Sequence, residues 1–81
     1  MEEELIGAIK LFAGDYVPQG YVECNGQLLN IRENEALYVL LQSKYGATPN
    51  LFAVPKMEPP MDGMKYIIAI RGIWPARQYI S

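Results

Sequence analysis

The residues of this chain that could do chemistry are few. No histidine occurs among its 81 residues, so a Ser-His or Cys-His nucleophile pair and the usual zinc and haem ligand sets are unavailable. Ser43 beside Lys44 and Ser81 lack any surrounding motif that would activate a hydroxyl. Asp15, Glu23, Glu58 and Asp62 are of the type that pairs for general acid-base work in glycosidases. They fall in turns or on a polar strand face, where a solvated carboxylate is the expected state. The glycines at 7, 14, 20 and 26 belong to strand and turn chemistry and do not form a phosphate-binding loop between a strand and a helix. Cys24, the single cysteine, excludes an internal disulfide and reads as a small packed hydrophobe before a turn. No catalytic residue, cofactor-binding residue or metal ligand is assigned, and the chain is read as a non-enzyme.

The aromatic residues Tyr16, Tyr21, Tyr66, Trp74 and Tyr79 supply the remaining recognition chemistry, because flat rings with polar edges suit sugar faces and protein interfaces. Packing in the core or between subunits is the favoured role, with Tyr16 and Tyr79 kept as candidate glycan contacts. Trp74, before Pro75 at the end of an apolar run, is placed where a neighbouring subunit could accept its ring; the alternative is a local cap on the domain core.

Composition narrows the class of protein. The apolar fraction of 51% is that of an ordinary globular chain, and the length suits one domain spanning residues 1–81. A domain of this size buries only about 60–65% of the surface of its unfolded chain, so its own core is marginal and a partner subunit is plausible. The net charge of −2 is uneven: residues 1–40 carry −5 and residues 41–81 carry +3. Neither half has the dense Lys/Arg stripe of a nucleic-acid-binding surface. Scattered solvated charge is the plain reading, and complementary ends that help subunits stack are the sharper one. The longest apolar runs, such as Tyr66 to Ile70, are far shorter than the ~18 residues of a membrane helix, so no membrane insertion is expected. Glu2 to Glu4 begin an acidic N-terminus, expected to be flexible over residues 1–4, where a secretory signal would be basic. Intracellular synthesis without a signal peptide is the resulting expectation.

The elements follow from periodicity. Leu5 to Phe12 reads as a strand with apolar residues on both faces: Leu5, Ile9 and Leu11 on one, Ile6, Ala8 and Phe12 on the other. Tyr21–Cys24 and Gln27–Leu29 flank Asn25-Gly26, a strong hairpin signal. From Asn30 the period becomes helical, with Ala36, Leu37 and Leu40 as the buried face and Asn30 with Glu33 as a capping box; the spacing predicts a helix over residues 31–43, stopped by Gly46 and favoured by Lys44 at its negative end. Leu51 to Val54 reads as a short strand, residues 55–63 as a Pro-rich loop, and Met64 to Ile73 as the last strand, again apolar on both faces. One helix covers only one side of a sheet, so the two double-faced strands require a second β layer or another subunit. Leu5, Ile9, Tyr66, Ile68, Ile70 and Trp74 are the packing or interface candidates, and Asn25 and Gly26 are the structural turn.

Several ordered fragments resemble the phage tail collar family, including its short members related to microcystin-dependent proteins: Ile6-Gly7, Ile9 to Gly14, Pro18 to Tyr21, Cys24 to Leu29, Asn34, Ala36-Leu37, Leu40-Leu41 and Tyr45-Gly46. Phe52-Ala53-Val54-Pro55 is similar to the family's Phe-Ala-Leu-Pro segment, and Tyr66 to Ile70 with Gly72 to Pro75 is similar to the closing strand of longer members. The chain departs from the family after Pro55, where Lys56, Met57 and a Pro-rich bridge replace an aspartate and a Gly/Arg-rich loop, and the long central insertion is gone.

The resemblance implies an α+β, β-rich collar domain acting as a structural subunit of a phage tail, tail fibre, baseplate or phage-tail-like contractile particle. It implies no cofactor, a homo-oligomer with a trimer favoured, and other tail or baseplate proteins as partners. A receptor- or glycan-binding module using the 55–63 loop and nearby aromatics is the alternative.

Overall fold

A computed structural model of the protein describes residues 4–75. Its elements in chain order are β1 (Ile9–Ala13), β2 (Tyr21–Glu23), β3 (Leu28–Asn30), a 3-10 turn (Arg32–Asn34) leading into α1 (Glu35–Leu41), β4 (Leu51–Ala53) and β5 (Met64–Ala69). The β-branched and aromatic residues of β5 give it the length to act as the middle strand of an antiparallel sheet ordered β1-β5-β2. Ile9 stands opposite Ile68 and Leu11 opposite Tyr66, and on the other side Val22 also stands opposite Ile68. Strands β3 and β4 form a second, two-stranded antiparallel sheet. These two sheets and one short helix are the α+β, β-rich architecture that the sequence predicts.

The Asn25-Gly26 turn is not a hairpin. Strand β2 pairs with β5 and β3 pairs with β4, so the turn is a corner between sheets. The Asn25 side chain accepts a hydrogen bond from the Gln27 amide at 3.1 Å, and the Gln27 carboxamide donates to the Glu23 carbonyl at 2.9 Å. Asn25 also pairs with Lys56, and the Met57 amide donates to the Cys24 carbonyl at 2.9 Å, which anchors the start of the Pro-rich loop. Asn-Gly fixes a sharp reversal, but the partners of the flanking strands are decided by the long apolar β5 and by Phe52, neither of them local.

The helical region starts near the expected place, but as a 3-10 turn over Arg32–Asn34, and α1 itself begins at Glu35, four residues later than the predicted start. Asn30 Oδ1 accepts the Glu33 amide at 3.1 Å, and the Asn34 side chain donates to the Asn30 carbonyl at 3.0 Å, which satisfies orphan groups of the first turn. It ends earlier than expected, at Gln42, which adopts a positive φ of 51° while its amide bonds to the Tyr38 carbonyl. Lys44 therefore lies beyond the last turn. Gly46 serves the small sheet instead, its carbonyl accepting the Ala53 amide at 2.9 Å, and Ala47 bridges Phe52 along the other side of β4. Leu37 of the helix is fully buried with Phe52, Val54, Cys24 and Ile68 in the core cluster. Tyr38 meets the Phe52 ring edge-on at 5.3 Å.

Both long strands are shorter than their apolar runs. The first starts at Ile9 because Leu5 to Ala8 turn, with the Ala8 amide bonded to the Leu5 carbonyl at 3.0 Å and Gly7 at φ +88°. The last ends at Ala69. Beyond these limits the two segments meet again: Leu5 and Ile73 form a parallel bridge, the Ile6 amide donates to the Ile73 carbonyl at 2.9 Å, and the Ile73 amide donates to the Glu4 carbonyl at 2.9 Å. Glu4 is thus tied into the fold, against the expectation of a flexible segment through residue 4.

This clasp depends on Gly72. It sits at φ +140°, and a Cβ there would lie 2.0 Å from the Glu4 carbonyl oxygen, a clash with backbone that no side-chain movement relieves. Gly63, at φ +84°, has nothing within 4 Å of the same position. Gly72→Ala is expected to lower unfolding free energy by about 2–3 kcal/mol, against about 1 kcal/mol for Gly63→Ala, in urea denaturation. Equal losses would show that the clasp adds nothing to stability.

Candidate functional site

Residues directly opposite one another in an antiparallel pair share a face, so the register sorts the large sheet into two sides. Ile9, Leu11, Val22, Tyr66 and Ile68 lie on the side of the core cluster. Lys10, Tyr21, Ile67 and Ala69 lie on the other. Strand β5 is buried on both: Ile68 is 0% exposed on the core side, and Ile67 and Ala69 are 0% exposed opposite.

The far side is closed by amphipathic side chains. Lys10 Nζ lies 2.7 Å from Glu4 Oε1, the Tyr21 hydroxyl donates to the same oxygen at 3.0 Å, and the ammonium stands 5.2 Å from the Tyr21 ring centroid. The hydrogen bond from Lys10, then that from Tyr21, lowers the Glu4 pKa below the usual carboxylate value. The hydrogen bond to Glu4 chiefly raises that of Lys10. Lys10 is therefore a charge folded back over its own sheet and not a free cation. The sequence signal for it is a single lysine within an otherwise apolar strand, six residues after the end of an acidic run.

Strand β1 is different: within a single chain its core-side face is only partly covered. Its core-side residues Ile9 and Leu11 lie at the sheet edge, past the reach of the helix and the small sheet, and are 40% and 39% exposed. Leu5, Ile73 and Trp74 are likewise exposed around the clasp. Of the packing or interface candidates, Ile68 is wholly internal, Tyr66 and Ile70 are partly buried against the core, and Leu5, Ile9 and Trp74 present apolar surface. Leu37 is fully buried, and Ala36 and Leu40 partly so. Sequence reasoning passed over Leu11 and Ile73, although each continues the apolar alternation of Ile9 or the clasp of Leu5.

Tyr16 is exposed, with its ring edge-on to Phe12 at 5.3 Å. Tyr79 lies outside the described residues. Asp15, Glu58 and Asp62 are exposed and Glu23 is partly buried, and among the described residues no group of three or more His, Cys, Asp or Glu is arranged to hold a metal ion. No helix among them is long and apolar enough to cross a membrane. Cys24 is free and buried.

Two small antiparallel sheets joined through an Asn-Gly corner, with one short helix against the core, define the class of a small β-rich α+β domain. Residues 7–59 match the phage tail collar domain, and the chain belongs to that family, a structural one of phage tails. The matched stretch takes in β1 to β4 and stops before β5. No curated protein matches the chain.

Burial, reinforced by the charge of Glu23, pushes the Cys24 thiol up to about 11 from 9.0. The native thiol is expected to resist a disulfide reagent at pH 8 and to react once the chain is unfolded in urea. The folded pKa exceeds the unfolded one, so the stability Cys24 contributes is complete below pH 9 and is lost as pH rises towards 11. Denaturation curves at pH 8.5 and 10.5 should differ by on the order of 1–2 kcal/mol more in the parent than in Cys24→Ala. Equal pH slopes would show that the thiol is not shielded.

Proposed function

We propose that this chain is a structural assembly subunit of a phage tail, tail fibre, baseplate or phage-tail-like contractile particle, acting by association with further copies of itself, with a trimer favoured, and with other tail or baseplate proteins. The virion tail, or a tail-like particle, is where it works. The observation that carries this reading is the apolar surface a single chain leaves open: Ile9 and Leu11 on the core side of β1, and Leu5, Ile73 and Trp74 at the clasp. Apolar side chains on one side of a small sheet are the material of subunit packing. A marginal core adds to the gain from such packing.

The receptor- or glycan-binding alternative draws less support. The 55–63 loop has no aromatic residue, its first residues are tied to the Asn25 corner, and the exposed Tyr16 already spends an edge on Phe12.

Light scattering across a dilution series is expected to give a trimer at high concentration that dissociates on dilution. Trp74→Ala and Ile9→Glu are each expected to shift the midpoint to at least about tenfold higher concentration. A monomer at every concentration, or an oligomer indifferent to both substitutions, would sink the self-assembly reading. Circular dichroism of both variants separates loss of association from loss of fold.

A further inference from the structure

Beyond the apolar surface, the small sheet and the 3-10 turn before the helix border a depression of mixed polar and apolar lining. It is open to solvent, has a volume of about 410 Å³ and is lined by Asn30, Ile31, Arg32, Pro49 and Asn50. Its two walls come from chain segments nearly twenty residues apart and are held together by the Ile31 amide, which donates to the Asn50 carbonyl at 3.0 Å. Each wall is also fixed from behind. Asn30 Oδ1 holds the Glu33 amide at 3.1 Å. On the other side the Thr48 hydroxyl accepts the Leu51 amide at 3.1 Å, while the Thr48 amide returns a bond to the Leu51 carbonyl at 2.8 Å.

The groups left over have one chemical bias. With Asn30 Oδ1 already engaged, that side chain has its two N–H donors to offer. Among the described residues Arg32 has no carboxylate within ion-pair distance, so its planar guanidinium remains available as a fork of donors. Asn50 adds a carboxamide that can both donate and accept. Ile31 and Pro49 give an aliphatic floor with no ring to stack on an aromatic ligand. A compact ligand carrying a carboxylate, several hydroxyls and an apolar C–H face satisfies all of these at once. The volume lies at the small end of the ~300–1,000 Å³ range of ligand clefts, enough for one sugar ring and its substituents.

We propose that this cleft is a subsite for a carboxylate-bearing monosaccharide unit, with Arg32 taking the carboxylate in a bidentate pair, Asn30 and Asn50 reading neighbouring hydroxyls, and Ile31 and Pro49 supporting the ring. It is separate from the apolar surface proposed for assembly and from the 55–63 loop, so it stands or falls on its own.

The test is a heteronuclear NMR titration of the full chain, in whatever oligomeric state it adopts, with glucuronic acid, glucose and inorganic phosphate as probes. Glucuronic acid is expected to saturate in the millimolar range, shifting the Asn30, Arg32 and Asn50 signals together. Glucose should bind at least about fivefold more weakly, phosphate should not reproduce the Asn50 shift, and Arg32→Gln should weaken glucuronic acid about tenfold. Arg32 is exposed, so this variant should fold; an unchanged spectrum away from the cleft checks it, and Asn50→Ala on the opposite wall gives a second route to the same loss. Absence of saturation, equal binding by Arg32→Gln, or phosphate matching glucuronic acid in both shifts and affinity would overturn the proposal.

Discussion

Strand β5 has a neighbour on each edge and a fully buried residue on each face, and the rest of the domain is arranged around that double demand. The pairing of β1 and β2 to β5 satisfies its backbone groups on both edges, the condition for burying a strand at all. Burying Ile68 on one side calls for the layer formed by Leu37, Phe52, Val54 and Cys24. Burying Ile67 and Ala69 on the other calls for something more economical, since the described residues hold no second helix to lay there. The aliphatic stem of Lys10 and the ring of Tyr21 flank the buried pair, and the single Glu4 oxygen that holds both polar ends keeps them lying across the sheet. The N-terminal clasp is therefore part of the same solution: by pairing with Ile73 it brings Glu4 within reach of Lys10.

Much of this organisation is written locally and is legible in the sequence. The change of period at Asn30 marks the 3-10 turn that leads into the helix, because the side chain of Asn30 and the Glu33 amide it accepts are three residues apart. Leu37 and Cys24 read as interior because their types and positions leave little else. What is not local is harder to read. Asn25-Gly26 gives the same dihedral signal whether its arms pair with each other or with two different sheets, and only the competition from β5, some forty residues downstream, decides between them. The apolar runs around Leu5 and Ile73 look continuous with their strands because residue types say nothing of the turn at Leu5 to Ala8 or of the approach of Glu4 to Gly72. The depression between Asn30 and Asn50 had no signal of its own in one dimension, since the only motif in its walls is the Asn30–Glu33 cap, which speaks to helix start and not to a ligand.

The family match and the physical unit have different limits. The match ends at Pro59, yet the large sheet inside those limits would have no middle strand, because β1 and β2 touch β5 and not one another. The matched stretch thus holds the two outer strands of the large sheet together with the corner, the helix and the Phe-Ala-Val-Pro strand that build the core layer. Closure of that layer is left to a strand beyond it. The bridge from Lys56 to Gly63 leads to that strand, and anchoring Lys56 and Met57 to the corner sets its course from its first residues.

The same geometry explains why apolar surface remains on one strand and not on the other. β5 is central, so side chains from both neighbours overlap it. β1 is an edge strand, and only β5 overlaps it. The core layer is narrow, with α1 just seven residues long and β3 and β4 three each, so it covers Ile68 and runs out before Ile9 and Leu11. An edge strand of a monomeric domain is usually defended by a charge pointing outward. The one charge in β1 is Lys10, and it is committed to closing the far side of the sheet, neutralised by Glu4. Using that lysine as cover for β5 leaves β1 without an edge guard, and a small domain so built gains more from a neighbour along Ile9 and Leu11 than one whose lysine faces outward.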